Sequence, residues 1–294
     1  MAKWSEALQI GEVYGSVGAT LAGVSLRTPL REDEQRKIRD LLDEHGVLVI
    51  RAQAIDEAQL ISFSGQFGEL ATFHEADKRS ATAPEIFRIS NVKLDGQSLR
   101  KSSDTVSSYF SNITRRWHTD GSYKAVPALA TCLYGQEIPD EGGDTLFADM
   151  ATAYDELPQT MKVRLDGLHM VHNYENNMEL TPGHPPMSAQ DKSQLPPVTH
   201  PVVRNCAGGR KALYLSDNVA RYVGGMTIEE GGALLQELLQ WSTQSRFVYR
   251  HRWRAHDVLV WDNRRVMHTA TEYDMKRYRR VMLRTEIKGE EPVK

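Results

Sequence analysis

The chain has 294 residues, of which 40% are hydrophobic and 26% charged, with a formal net charge of −3 and a pI of about 6.4. That length allows one large or two ordinary domains, and the composition is that of a soluble globular protein. No broad basic field points to nucleic acid, no lysine-rich run to anionic lipid, and no window approaches the ~18 uninterrupted apolar residues of a membrane helix. Neither nucleic acid nor a membrane is therefore an expected partner. Two cysteines, Cys132 and Cys206, are too few for a disulfide scaffold and suit a reducing compartment. The opening MAKWSEALQIGEVYG lacks the charged-then-apolar pattern of a secretory leader. A cytoplasmic location is expected.

In chain order, EDEQRKIRDLLDEHG (32–46) predicts a helix with Ile38, Leu41 and Leu42 inward and Gly46 as C-cap. VLVI (47–50) predicts a buried strand. Asp56 and Gln59 form a capping box ahead of Leu60, Ile61, Phe63 and Phe67. EIFRISNV (85–92) and LATCLYGQEI (129–138) read as strands, and 150–168 as a helical stretch. Residues 173–200 are polar and proline-rich, and read as a long loop that could act as a lid over a site. KALYLS (211–216) predicts a strand. Thr227 and Glu230 cap a helix that carries Leu234, Leu235, Leu238 and Leu239 on one face. RFVYRHRW (246–253), DVLVW (257–261) and RRVMLRTEI (279–287) close the chain as strands. Many strands with few helices between them predict a mainly β fold with flanking helices, a sandwich or jelly roll, in one domain.

The stretch RRWHTDGSY (115–123) places His118 and Asp120 one residue apart. In an extended segment residues i and i+2 point the same way, so the two side chains would converge as ligands of one metal ion. A plain turn at Asp120–Gly121 is the bland alternative. A facial triad of two histidines and one carboxylate needs a second histidine and leaves open coordination positions on Fe(II). Of the ten histidines, His268 in WDNRRVMH is the best candidate, because it follows a strongly apolar strand after which the chain must turn. In RRVMLRTEI, alternation puts Arg280, Met282, Arg284 and Glu286 on one face and Val281, Leu283, Thr285 and Ile287 on the other. That polar face is either solvated or turned into a cavity, where buried guanidinium groups would need anions. In PDEGGDTLFADM (139–150), Gly142 and Gly143 either permit a close backbone approach that brings Thr145 to a site, or form a hairpin turn.

Taken together these pieces resemble the TauD/TfdA family of Fe(II)- and 2-oxoglutarate-dependent dioxygenases along nearly the whole chain. VGATLAGVSLRTPL (17–30), FGEL (67–70), WHTDGSY, GGDT, HPVVR (200–204) with GRKALYLS, WDNRRVMH and RYRRVMLR occur in the family's order. The resemblance implies a double-stranded β-helix (jelly-roll) core. It also implies His118, Asp120 and His268 as iron ligands, and Thr145 and Arg280 as partners of the distal carboxylate of 2-oxoglutarate. Arg279 is the neighbour that could replace Arg280, and strand alternation favours Arg280. Arg284 matches a position that binds the anionic end of the substrate or shares in holding the co-substrate. Iron, 2-oxoglutarate and O2 are the implied cofactor and co-substrates, with succinate and CO2 formed as the substrate is hydroxylated. Asp120 fills the position a halide would need, which argues against a halogenase. A homo-oligomer is suggested.

ISNVKLDG (89–96) and FVYRHRW resemble the branch that cleaves phenoxyalkanoates such as 2,4-dichlorophenoxyacetate to a phenol and glyoxylate. The rival branch acts on taurine, alkylsulfonates or alkyl sulfates, and His74 is offset from the taurine pattern. Lys93, Lys101, Tyr109, Phe110 and Tyr123 are candidate pocket residues, with Lys93, Tyr123 and Arg284 named as substrate contacts. Two readings from other classes are a non-catalytic metal-binding jelly-roll protein and a hydrolase using zinc-bound hydroxide. Neither accounts for the arginine pair together with Thr145.

Overall fold

A computed structural model describes residues 8–73, 78–101 and 104–294. Its largest sheet has seven strands, in the order Gln9–Val13, Ala19–Ala22, Val47–Ile50, Val258–Asp262, Ala128–Glu137, Val281–Lys288 and Phe87–Ser90. A second sheet of three strands, Val248–His251, Thr145–Asp149 and Val266–Ala270, lies opposite it. Val49, Leu133, Leu259, Trp261 and Met282 from the first sheet interdigitate with Phe147, Tyr249 and Val266 from the second. These are the two walls of a jelly roll, and the site lies between them.

Both faces of the large sheet are covered, which explains the near-continuous apolar runs in its central strands. The outer face packs against Glu32–His45 and Glu57–Ser64 through Ile38, Leu60 and Phe63. The expected caps form. Gly46, at φ 71°, donates its amide to the Leu42 carbonyl. The Asp56–Gln59 and Thr227–Glu230 boxes close in both directions. Leu234, Leu235, Leu238 and Leu239 of Ile228–Ser242 bury into a further apolar cluster.

Three expectations are corrected. The 150–168 stretch is two helices, Met150–Asp155 and Gln159–Leu165, because Pro158 has no amide proton to continue the first. Residues 173–200 are not a structureless loop. They hold the helices Glu175–Glu179 and Ala189–Gln194 and the strand Val198–Pro201, each too short to show a period in sequence. His268, expected where the chain turns after the apolar strand, is in the middle of a further strand, Val266–Ala270. Among the described residues no helix is long and apolar enough to cross a membrane.

A buried ion pair ties the start of the chain to the small sheet. Arg265 donates to both Asp149 carboxylate oxygens, at 3.2 and 2.9 Å, and to the carbonyls of Ser16, Asp43 and Glu44. Burial alone would raise the Asp149 pKa, but the Arg265 bonds and Thr152 hold it below the ordinary carboxylate value. A depressed carboxylate contributes stability above its unfolded pKa, and that stability is lost as pH falls through the folded one. Asp149→Asn is therefore expected to cost about 3 kcal/mol at pH 7, since it leaves Arg265 short of its counter-charge. The gap between variant and wild type should narrow below about pH 4, as read by denaturant melts across pH.

Candidate metal centre and its two cavities

Two antiparallel backbone bonds hold the first site residues together. The His118 amide donates to the His268 carbonyl at 3.0 Å, and the His268 amide donates to the His118 carbonyl at 2.9 Å. Directly paired residues present their side chains on one face, and the two imidazole centroids lie 4.1 Å apart. The chain is extended at His118, so Asp120 returns to the same side. Its carboxylate oxygens lie 3.9 Å from His118 Nε2 and 3.8 Å from His268 Nε2. One ligand atom from each of the three lies within 4.8 Å of the others, and all three residues are buried.

The surrounding bonds prepare these atoms for a cation. His118 Nδ1 lies 2.7 Å from the Arg116 carbonyl. A carbonyl can only accept, so Nδ1 carries the proton and Nε2 presents its lone pair. Burial lowers the pKa of both imidazoles, His268 to about 3 with His118 adding to the effect, which keeps both neutral. Burial would raise the Asp120 pKa, but Arg284, His268 and His118 hold it far down, so it stays an anion.

A chain of donors reaches Asp120 from behind. Trp261 Nε1 donates to Asn263 Oδ1 at 3.0 Å, Asn263 Nδ2 to Thr131 Oγ1 at 2.9 Å, and Thr131 Oγ1 to Asp120 Oδ2 at 2.8 Å. Each member is a donor toward the next, ending on a group that can only accept. Thr131→Val removes the last link with little change of shape. We expect metal affinity to fall about 10–100-fold, measured by competition with a chelator.

Arg284 Nη1 donates to Asp120 Oδ1 at 2.9 Å, and Nη2 lies 2.7 Å from Glu286. Its guanidinium sits 4.5 Å over the Phe87 ring, while its Nε has no hydrogen-bond partner among the described residues. Arg280 differs. It is 6% exposed, its Nη2 donates to the Gly143 carbonyl at 3.2 Å, and its Nε is unpartnered among the described residues. The nearby Asp144 carboxylate is bonded instead by Arg250 at 2.7 Å. Burial therefore weighs against the Arg280 charge, a cost that a carboxylate ligand would offset. A methyl group on Gly143 would come within 3.2 Å of Arg280 Nε, and one on Gly142 within 2.2 Å of the Glu272 carbonyl. The two glycines thus allow the close approach that leaves this socket open. Arg279 is more than a third exposed and paired with Glu137 at 2.6 Å.

Two adjacent cavities share Ile89 and Thr114 as a partition. One holds Arg280, with Phe110, Tyr273 and Met275. The other lies over His118 and Asp120, with Phe87, Tyr109, Ile113, Tyr123 and Arg284. Tyr123, Tyr109 and Phe110 therefore fall where candidate pocket residues were expected. Lys93 does not: it is exposed on a surface turn beside Asp95 and Arg100 and lines neither cavity. The alternating pattern around it could not reveal a turn that leads away from the site. Lys101 is exposed as well, and His74 lies outside the described residues. Sequence reasoning missed Asn177 and Asn218, which line the metal cavity. Glu286 had been placed on the correct face but given no role. Asn177 comes from the 173–200 segment, so the first part of that segment is a wall of the site.

The family model "Taurine catabolism dioxygenase TauD, TfdA family" matches residues 9–285. The chain belongs to the TauD/TfdA family. It is 38% identical over 273 residues to an alpha-ketoglutarate-dependent 2,4-dichlorophenoxyacetate dioxygenase from Cupriavidus pinatubonensis (strain JMP 134 / LMG 1197), covering 92% of this chain and 94% of that protein. It is 30% identical to a (S)-phenoxypropionate/alpha-ketoglutarate-dioxygenase from Sphingobium herbicidovorans, covering 97% and 96%. Among solved structures, AAD-2 in complex with Mn(II) and N-oxalylglycine superposes with a TM-score of 0.86 at 30% identity, covering 98% of this chain and 99% of that one. The jelly-roll expectation thus agrees with both the strand arrangement and this TauD/TfdA-family chain's relatives.

Proposed function

We propose that this TauD/TfdA-family chain is an Fe(II)- and 2-oxoglutarate-dependent dioxygenase. Its substrate would be an aryloxyalkanoate such as 2,4-dichlorophenoxyacetate, cleaved to a phenol and glyoxylate. The observation that carries the reading is the buried, carboxylate-free Arg280 socket next to the His118–Asp120–His268 cluster. The residues fit both groups: two neutral imidazoles and a carboxylate suit a divalent transition metal, and a buried guanidinium whose Nε has no partner among the described residues suits a dicarboxylate. Iron bound there would supply the activation of O2 that is coupled to decarboxylation of 2-oxoglutarate.

The chain's own residues would do the rest. Arg280 and Thr145 would hold the distal carboxylate, which fixes the other end of the co-substrate toward the metal ligands. Phe87, Ile89, Tyr109, Ile113 and Tyr123 would pack an aryl ring and exclude water. Arg284, anchored by Asp120 and Glu286, keeps its Nε to donate to the substrate carboxylate. An aromatic body with an anionic end matches that mixed wall, and a small aliphatic sulfonate would leave the aromatic part unfilled. Two free cysteines suit a cytoplasmic setting, and a homo-oligomer is the expected assembly.

The test is succinate formation from 2-oxoglutarate with Fe(II), ascorbate and O2, across phenoxyacetates, phenoxypropionates, taurine and alkyl sulfates. Stimulation by an aryl ether with stoichiometric phenol release is expected. Stimulation by taurine or an alkyl sulfate alone would replace the substrate, and no succinate with any compound would overturn the enzyme reading.

A further inference from the structure

Trp253 is 8% exposed and its indole N–H donates to Thr145 Oγ1 at 3.0 Å. The ring is held on several sides. A methyl group on Gly135 would lie 3.0 Å from its Cε3, so the absence of a side chain there makes the slot for the indole. His251 meets the ring edge-on at 4.7 Å between centroids, and His251 is the residue paired with Thr145 across the two strands. The strand register therefore sets both partners of this hydrogen bond.

A threonine hydroxyl has one proton to give and two lone pairs to receive, whereas an indole nitrogen can only give. With Trp253 occupying one lone pair, the hydroxyl proton must point elsewhere. Among the described residues, no acceptor hydrogen-bonds to it. Thr145 starts the strand that follows Gly143, whose carbonyl accepts from Arg280, so the free proton belongs to the same corner as the Arg280 guanidinium. An acceptor-only end group, a carboxylate, is the chemistry that would take it.

We propose that Trp253 is a positioning residue for co-substrate recognition. Its indole N–H holds the Thr145 hydroxyl in the donor orientation toward the distal carboxylate of 2-oxoglutarate. This rests on the reading of Thr145 and Arg280 as partners of that carboxylate, which the family resemblance implies and the test checks separately. It gives a role to a side chain that lines neither of the two cavities.

The experiment measures N-oxalylglycine binding to Mn(II)-loaded protein by calorimetry, alongside KM for 2-oxoglutarate and kcat, in Trp253→Phe, Thr145→Val and the double variant. We expect each single variant to weaken N-oxalylglycine binding about 3–10-fold and to raise KM by the same factor. For the Trp253 variants kcat and KM for the aryl substrate should stay within about twofold, and the double variant should be no weaker than Thr145→Val, as coupled residues require. A loosened fold would move every parameter together. Replacing Trp253 by 3-benzothienylalanine keeps the ring shape and removes only the N–H, so it carries the test if Trp253→Phe does not fold. Unchanged binding in the Trp253 variants while Thr145→Val binds weakly would overturn the inference and leave the co-substrate reading in place. A Trp253 effect of equal size in the Thr145→Val background would overturn it too. Unchanged binding in Thr145→Val would remove Thr145 from the co-substrate site and the inference with it.

Discussion

Asp120→Ala is expected to abolish metal retention and to lower succinate formation by about a thousandfold or more, equivalent to roughly 4 kcal/mol of barrier. The carboxylate is the anion that both histidine Nε2 atoms face at 3.8–3.9 Å. Its loss does more than remove one ligand. Arg284, which donates to Asp120 Oδ1, would remain as a cation beside two neutral imidazoles, and a divalent ion would meet repulsion where it had met attraction. The fold should survive. Arg284 keeps Glu286, and the one acceptor lost to Thr131 costs about 1–3 kcal/mol. The checks are metal content after dialysis, succinate release and circular dichroism. Stoichiometric iron and normal turnover in the variant would disprove the triad.

Arg280→Leu is expected to separate stability from function. The affinity for 2-oxoglutarate should fall about 10–100-fold, the range for a lost charge-assisted hydrogen bond to a carboxylate. The melting temperature should hold or rise, because a buried guanidinium with no carboxylate partner is a cost to the fold rather than a support. Among the described residues, the Gly143 carbonyl is the one hydrogen-bond partner that side chain would lose. Arg279→Leu is the control: it breaks a half-exposed pair with Glu137, so KM for 2-oxoglutarate should be unchanged. If the Arg279 variant were the one that lost co-substrate, the assignment of the two arginines would be reversed. A large drop in melting temperature for Arg280→Leu would show that the residue braces the fold and does not wait for a ligand.

Much of the site could be read in one dimension because its ligands obey strand alternation. His118 and Asp120 converge through a period of two, and the same period put Arg280 and Arg284 on one face. The structure decides what that face meets. Met282, between the two arginines, is fully buried against the second sheet, so the polar side is an interior wall and not a solvated surface. Likewise, the two glycines before Thr145 fit a hairpin turn on sequence alone, and in the structure Glu272 and Arg280 crowd against them.

The sequence by itself determined several strands of the large sheet, the helix caps and the residue types whose spacing pointed to a metal site. Those depend on neighbours a few positions apart, where backbone sterics and hydrogen bonding act. What only the tertiary structure decided is pairing across long separations. His268 is brought opposite His118 by two backbone bonds, Trp261 and Asn263 reach Asp120 through Thr131, and Trp253 meets Thr145. It also took Lys93 out of the site, because a turn can point a charged side chain into water at no cost. Such contacts are set by sheet register and by the packing of two walls, and no local pattern in the chain encodes which strand will lie next to which.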